Sequence, residues 1–308
     1  MSSIFRLLAQ ISPWLACLIF GVMTKLVERT TYPFLKSITT LSKRKGGQAC
    51  FLQGFIGSDR FPYQLRDGVV HALPRIKRIT GPSTVLFEDD KEVKGIDAII
   101  LCTGYYQDYC SLIEGRGNPA DPSFAYDGFQ QFQQTRFRKP KEQYPRLYQG
   151  LLSEKYPDSL AVLGHLAVFK SIFVQYDLAT MAVASLWAGN YPLPSAAEMK
   201  KEIDAHYQLC VQTLQSTPMP YIGYRLNDSE TERWLNVVAG TGVDEYLGVW
   251  RLKAWKFWFA DRQMYSKLMD GPDTPTIYRL FDTGRGRRPW TGARKAIEAT
   301  NRQVRAKQ

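Results

Sequence analysis

The chain has 308 residues, of which 44% are hydrophobic and 22% charged, and it carries a formal net charge of +11. This composition is typical of a folded globular protein and excludes an intrinsically disordered one, while the length allows one large or two ordinary domains. The five cysteines are widely spaced and the three histidines are scattered, so neither a disulfide framework nor a metal site is expected, and a reducing compartment is favoured.

The first predicted element is an apolar helix over residues 4–25. Eighteen uncharged residues separate Arg6 from Lys25, and the large apolar residues recur at the three- and four-residue spacing of one helical face. Pro13 and the interspersed polar residues weaken a membrane-spanning interpretation. Three interpretations stay open, in this order: a helix packed on a core, a peripheral membrane contact, and a transmembrane anchor.

Short strands and turns are predicted after residue 60. Arg66-Asp67-Gly68 is a turn signal, and Val69 to Leu73 is a candidate strand behind it. Residues 84–87, with the sequence TVLF, form a second candidate strand, and the polar run 88–91 predicts the next turn.

Two apolar runs then predict buried parallel strands. Residues 98–102 and residues 159–163 are apolar on both faces, which suits a strand covered by layers on both sides. A glycine follows each run, Gly104 and Gly164. Since ligands of open parallel sheets bind beyond the carboxyl ends of the strands, the two runs are candidate walls of one crevice. Turn glycines after buried strands are the simpler alternative.

The second half of the chain is predicted to be helical. Tyr176 to Ala188 is a helix that Gly189 ends, and Ser195 with Glu198 has the spacing of a capping box at the start of a helix through Leu214. Further helices are expected to about residue 268. Residues 285–308 contain eight basic residues and one acidic residue, which predicts a solvated basic tail rather than a nucleic-acid site.

The segment 96–105, IDAIILCTGY, resembles the D-x-[IV]-[IV]-x-[AC]-T-G-[YF] motif of flavin-containing monooxygenases and related class B flavoprotein monooxygenases. Three further blocks resemble the same family in the same order: YPRLYQGLLSEKYPDSLAVLGHL, LATMAVASLWAGNYPLPSAAEM and GPDTPTIYRLFDTGRGRRPWTGARKAI. The resemblance spans roughly residues 60–300 and matches the C-terminal half of the family.

The resemblance implies a fold, a chemistry and two cofactors. The expected fold is α/β, a partial flavoprotein with two Rossmann-like dinucleotide-binding domains and a helical C-terminal region. Its expected parts are residues 1–95 with the remnant of the NADPH-binding domain, 96–194 in the FAD-binding domain and 195–308 as the helical region. The family uses FAD and NADPH to insert one oxygen atom from O2 into a small organic substrate, in some members in secondary metabolism.

The resemblance also implies which residues contact the cofactors. Thr103, Gly104 and Tyr105 would lie where the chain returns from the NADPH domain to the FAD domain, and Gly164 and His165 would approach the flavin. No catalytic residue is assigned. A homo-oligomer and a location in the cytoplasm or on the cytosolic face of a membrane are compatible with these features.

The chain departs from the family pattern at one place that matters for function. It contains no G-x-G-x-x-G, the loop that holds a pyrophosphate at a helix N-terminus, whereas the family has two. Activity of this chain by itself is therefore not implied. The alternatives are a truncated, catalytically silent homologue and a membrane-associated interaction protein.

Overall fold

The structure is a computed structural model with mixed helix and sheet. It describes residues 60–102, 117–120, 144–166, 171–216, 228–248, 250–285 and 288–306, together with Ile19, Val22, Leu26, Thr30 and Ile113. The chain divides into two compact units. We call residues 18–106 the meander unit, and residues 1–17 with 107–308 the helical unit.

Between residues 60 and 102, the meander unit contains a helix and three antiparallel strands. Helix α1 (Phe61–Arg66) is followed by strands β1 (Ile76–Gly81), β2 (Thr84–Phe87) and β3 (Glu92–Val93), paired in that order. Strand β2 and the polar turn after it are confirmed. Val85 and Phe87 of β2 are buried, and its other two residues are half-buried, so β2 carries the apolar side of the sheet.

The predicted strand over residues 69–73 is wrong. The backbone amides of Val69 and Val70 both donate to the carbonyl oxygen of Gln64, at 3.0 and 3.1 Å. These bonds close the end of α1, so the two amides are not available to a sheet. The turn signal itself is confirmed, since Gly68 has a φ of 71°.

The predicted buried strand over residues 98–102 is also wrong. The amide of Ile96 donates to the carbonyl of Ser83 at 2.9 Å, and beyond it residues 98–102 pair with no strand among the described residues. The side chain of Ile100 is 84% exposed. A strand exists only with neighbours in a sheet, and apolar sequence cannot reveal whether those neighbours are present.

The helical unit begins, in its described part, with a short hairpin. Strands β4 (Leu147–Tyr148) and β5 (Leu152–Ser153) pair antiparallel around a turn in which Gln149 and Gly150 both have positive φ. The second predicted parallel strand, residues 159–163, is reduced to a single antiparallel bridge between Ala161 and Leu152. The expectation of two parallel strands is therefore not met in the described residues.

The two helices that follow confirm their predictions. Helix α2 (Ile172–Trp187) begins four residues before the predicted start, and the predicted stop is confirmed: Gly189, with a φ of 73°, follows the C-cap Ala188. Helix α3 (Ala196–Ser216) begins with the predicted capping box: the amide of Ser195 donates to the carboxylate of Glu198 at 2.9 Å, and the amide of Glu198 donates to the Ser195 hydroxyl at 3.3 Å. Both signals are local in sequence, which is why the sequence predicts them well.

The described residues of the unit contain five more helices. They are α4 (Asp228–Ala239), α5 (Val243–Tyr246), α6 (Leu252–Ala260), α7 (Arg262–Asp270) and α8 (Ala293–Arg305), with a 3-10 helix at Ile277–Arg279. Helix α8 corrects the prediction of a solvated basic tail, because its apolar face is buried through Ala293 and Ile297. The basic residues occupy the remaining faces, so a charged sequence here is compatible with a docked amphipathic helix.

The predicted N-terminal helix, residues 4–25, lies almost wholly outside the described residues. Ile19, Val22, Leu26 and Thr30 are helical, and Val22 and Leu26 are exposed. In the part of the chain that the structure describes, none of the helices combines the length and apolar character needed to cross a bilayer.

Candidate functional site

The predicted site residues fall into two groups. Thr103, Gly104 and Tyr105 lie outside the described residues, so the structure gives no geometry for them. Gly164 and His165 are described, between the bridge at Ala161 and the start of helix α2. The candidate site is therefore built from the turn that carries these two residues.

Gly164 combines an unusual backbone conformation with open space. Its φ is 111°, which side-chain-bearing residues rarely adopt. Among the described residues, the atom nearest to a Cβ built on Gly164 is the hydroxyl of Tyr176, at 3.9 Å, and Gly164 is exposed. A glycine without a side chain lets a flat or phosphorylated ligand come close to the backbone, and the exposed position of Gly164 is compatible with such an approach.

His165 points into the protein. It is buried, its ring lies edge-on to Tyr144 with 4.7 Å between the ring centroids, and burial lowers its pKa to about 3. The imidazole is therefore neutral at physiological pH. Its side chain packs the core beneath the turn, and any contact with a ligand outside would have to be made by its backbone.

A buried polar cluster lies behind this turn. The Tyr144 hydroxyl is 2.7 Å from Nε2 of His206 and 3.2 Å from Sγ of Cys210, and those two atoms are 3.3 Å apart. The Tyr207 hydroxyl donates to the carbonyl oxygen of Tyr144 at 2.8 Å. This cluster is not predicted from the sequence, although the four-residue spacing of His206 and Cys210 places both residues on one face of α3.

The cluster is not prepared for nucleophilic or metal chemistry. Burial lowers the pKa of His206 to about 3 and raises the pKa of the Cys210 thiol to about 12, so the histidine is neutral and the thiol stays protonated at neutral pH. Cysteine acts as a nucleophile or as a metal ligand in its thiolate form, so the protonated Cys210 is suited to neither role. Among the described residues, no group of three or more His, Cys, Asp or Glu side chains could hold a metal ion.

A charged network fixes the hairpin to α3 beside the cluster. Arg146 is buried and donates to both carboxylate oxygens of Glu154, from Nη2 at 3.0 Å and from Nε, and its Nη2 also donates to Asp204 at 2.8 Å. Its guanidinium carbon lies 5.5 Å from the ring centre of Tyr207. Arg146 therefore joins strands β4 and β5 to α3.

The turn is tied to α2 by one further side chain. Gln175 is buried and its amide donates to the carbonyl oxygen of Leu166. In the structure its amide is engaged within the protein, which positions the turn and leaves the Gly164 backbone as the accessible part of the site.

The described residues do not build a complete site for a dinucleotide. Such a site needs a glycine-rich loop between a strand and a helix N-terminus, and the chain has no G-x-G-x-x-G. In the meander unit, the run 98–102 that would lead to Thr103 is unpaired with any described strand. What the site offers is one accessible backbone turn on a well-fixed scaffold.

Comparisons with known proteins point to one family. The family model described as flavin-binding monooxygenase-like matches residues 22–307. A monooxygenase named aurF from Gibberella zeae is 35% identical over 245 residues, which cover 79% of this chain and 44% of that protein. Human flavin-containing monooxygenase 3 is 26% identical over 243 residues, covering 78% of this chain and 38% of its own length.

The mouse flavin-containing monooxygenase 5 is similar at 25% identity over 249 residues, covering 80% of this chain and 40% of its own. No solved structure matches the chain. The chain thus spans less than half the length of the curated relatives that it matches. Since the family model covers nearly all of the sequence, the chain belongs to the flavin-binding monooxygenase-like family, and this membership implies FAD and NADPH as cofactors.

Proposed function

We propose that this chain takes part in an FAD- and NADPH-dependent monooxygenation, in which one oxygen atom of O2 enters a small organic substrate of secondary metabolism. The match of residues 22–307 to the family carries the proposal. The accessible turn at Gly164 supports it, because a flat cofactor needs close approach of backbone. When bound, FAD reduced by NADPH supplies the oxidising chemistry, and the protein supplies position and exclusion of water.

Five residues are proposed as cofactor contacts. Gly164 would contribute its open backbone, and His165 would contribute its main chain, since its ring is engaged below with Tyr144. Thr103, Gly104 and Tyr105 are proposed on the family resemblance alone.

The proposed architecture follows the family. Residues 1–95 would contain the remnant of the NADPH-binding domain, residues 96–194 part of the FAD-binding domain and residues 195–308 the helical region, within a two-dinucleotide-binding-domain flavoprotein. The mixed helix and sheet of the described residues supports the coarser α/β class. A cytosolic location and a homo-oligomer are part of the same proposal, and light scattering after gel filtration tests the second.

Titration of the purified full chain with FAD tests the proposal. Flavin fluorescence should fall and the flavin spectrum should shift on binding, and candidate substrates should then increase the rate of NADPH oxidation in air. If the chain neither binds FAD nor consumes NADPH, the hypothesis that it is active on its own is wrong.

A matched pair of glycine variants tests the site itself. Gly164→Ala and Gly189→Ala both place an alanine at positive φ, where no described atom lies closer than 3.9 Å to its Cβ, so we expect each to cost about 1–2 kcal/mol of folding stability. Only Gly164 lies in the candidate site. We expect FAD affinity to fall about tenfold in Gly164→Ala and to stay unchanged in Gly189→Ala. Equal effects on FAD affinity would remove Gly164 from the cofactor site.

A catalytically silent homologue is the second candidate function. It is favoured by the departure of the chain from the family's G-x-G-x-x-G pattern and by the apolar run at residues 98–102, which is exposed and pairs with no described strand. In that case the same titration yields a folded, colourless protein without NADPH consumption. Circular dichroism distinguishes this outcome from a protein that has failed to fold.

A further inference from the structure

The buried polar cluster behind the Gly164 turn brings a phenol, an imidazole and a thiol together. The Tyr144 hydroxyl oxygen lies 2.7 Å from Nε2 of His206 and 3.2 Å from Sγ of Cys210. Each of these three residues is exposed by 3% or less. The protonated thiol is unsuited to nucleophilic or metal chemistry. The chemistry that remains to a phenol beside a base is the loss of one electron together with one proton.

The Tyr144 hydroxyl is the donor in its contact with His206. Burial keeps the imidazole neutral, with a pKa of about 3, and a neutral imidazole has one ring nitrogen that accepts. The thiol of Cys210 is a weaker hydrogen-bond donor than a phenol, so the phenol is the group that donates to Nε2. The 2.7 Å between the two atoms lies within the reach that proton transfer requires. Nε2 of His206 is therefore placed to take the phenolic proton.

We propose that Tyr144 and His206 form a one-electron redox site, in which Tyr144 is oxidised to a neutral phenoxyl radical while His206 takes its proton. One electron passes from the ring of Tyr144 to a strong one-electron oxidant, which is thereby reduced. The O–H bond of Tyr144 breaks and an N–H bond forms at Nε2 of His206, which becomes an imidazolium. When a reductant such as a soluble thiol returns the electron, the proton moves back to the Tyr144 oxygen.

The proton acceptor makes the oxidation of a buried tyrosine feasible. Loss of the electron alone would leave a phenol radical cation, which is a strong acid and an unpaired charge in an apolar interior. Transfer of the proton to His206 leaves a neutral radical on Tyr144. The burial that lowers the pKa of His206 also makes its imidazolium a strong acid. The proton therefore returns once the radical is reduced, and the cycle is reversible.

Tyr207, the neighbouring tyrosine of the cluster, lacks these features. Its ring lies edge-on to Tyr144 with 5.2 Å between the centroids, but its hydroxyl donates to the carbonyl oxygen of Tyr144 at 2.8 Å. A carbonyl oxygen is too weak a base to take the proton. The guanidinium carbon of Arg146 lies 5.5 Å from the ring centre of Tyr207, and a positive charge there opposes the loss of an electron. Oxidation is therefore expected at Tyr144 rather than at Tyr207.

The redox site lies beside the candidate cofactor turn. The ring of His165, which follows Gly164, is 4.7 Å from the ring of Tyr144 between centroids. If oxygen is reduced at this turn, one-electron oxidants from its incomplete reduction arise near Tyr144. Tyr144 would then take the oxidising equivalent in place of side chains that oxidise irreversibly. This source of the oxidant rests on the proposed function, whereas the chemistry of Tyr144 and His206 does not.

Photochemical oxidation of the purified full chain tests the proposal without FAD. A photoexcited ruthenium complex with a sacrificial electron acceptor supplies the oxidant, and electron paramagnetic resonance detects the tyrosyl radicals. Radicals on exposed tyrosines are reached by solutes and by other protein molecules and decay quickly. A radical on Tyr144 is shielded from such encounters, because this residue is buried. We therefore expect a slowly decaying tyrosyl signal in the parent chain.

Three variants locate the radical. Tyr144→Phe should lose the slow signal, because phenylalanine is not oxidised under these conditions. His206→Gln keeps a hydrogen-bond acceptor but not a base, so the slow radical should form about a hundredfold more slowly. Tyr207→Phe is the matched control, since it removes a phenol that is equally buried and should keep the slow signal. Circular dichroism establishes that each variant is folded.

Three outcomes would overturn the proposal. The first is a parent chain without a slowly decaying radical. The second is a slow radical that persists in Tyr144→Phe or disappears in Tyr207→Phe. The third is formation of the slow radical at the parent's rate in His206→Gln. If Tyr144→Phe fails to fold, the other two variants decide the question. FAD binding is measured separately by the fluorescence titration, so failure of the proposed function and failure of this inference are distinguishable.

Discussion

The two buried histidines make the folded chain sensitive to acid. His165 and His206 have a pKa of about 3 in the folded protein because they are buried, whereas a histidine in an unfolded chain has a pKa of about 6.5. Below pH 6.5 the histidines of the unfolded state therefore become protonated, while those of the folded state stay neutral down to about pH 3. Stability falls as the pH is lowered from about 6.5 towards 3, by up to about 1.4 kcal/mol per pH unit for each histidine.

Urea unfolding at several pH values checks this expectation. The variant His206→Gln should lose about half of the histidine contribution to the slope of stability against pH below about pH 6. Tyr207→Phe is the control, since it removes the hydrogen bond to the Tyr144 carbonyl without removing a group that titrates in acid. It should lower stability by a similar amount at every pH. A His206→Gln variant with the parent's pH slope would contradict the prediction.

The same residues show where sequence reasoning reaches its limit for the site. Gly164 could be predicted, because a glycine after an apolar run signals a turn from local sequence alone. The cluster behind it could not, because the Tyr144 hydroxyl meets His206 across 62 positions of sequence. The sequence alone predicts only that His206 and Cys210, four residues apart in one helix, lie on the same helical face.

At the scale of elements, Arg146 joins the β4–β5 hairpin to helix α3. Its removal leaves the half-buried carboxylates of Glu154 and Asp204 without their shared cation, and only Asp204 keeps another ion pair among the described residues, with Lys200. We expect Arg146→Met to lower the free energy of unfolding by roughly 2–4 kcal/mol. Chemical denaturation followed by circular dichroism measures the change.

Arg279→Met provides the comparison for Arg146. Arg279 pairs with Asp177 and so links the 3-10 helix to α2, but its side chain is 44% exposed. Exposed ion pairs contribute little, so this variant should lose about 1 kcal/mol or less. Equal losses in the two variants would show that burial of Arg146 does not set its importance.

The elements themselves were predictable to the extent that their signals are local. The end of α2 at Gly189 and the capping box of α3 depend on residues within four positions of each other, and both are confirmed. The runs 98–102 and 159–163 look like strands for equally local reasons. A strand, however, is defined by partners distant in sequence, and the described residues supply only the bridge at Ala161.

At the scale of the whole molecule, the charge of +11 predicts weak binding to any polyanion. Because this attraction has no base-specific component, two unrelated DNA duplexes should bind with the same affinity. This affinity should fall steeply between about 50 and 200 mM salt. Fluorescence anisotropy with labelled duplexes measures both. Tight binding to one duplex at the higher salt would contradict our expectation that nucleic acid is not the partner.

The exposed run at residues 98–102 makes the protein prone to aggregate. It is uncharged, rich in β-branched and aliphatic residues and free of proline, which is the composition of segments that seed aggregation. Lys94 and Asp97 precede it as charged gatekeepers, while the next charged residue after it is Asp108. Soluble yield should therefore depend on protein concentration, because the exposed run of one molecule can pair with the same run of another.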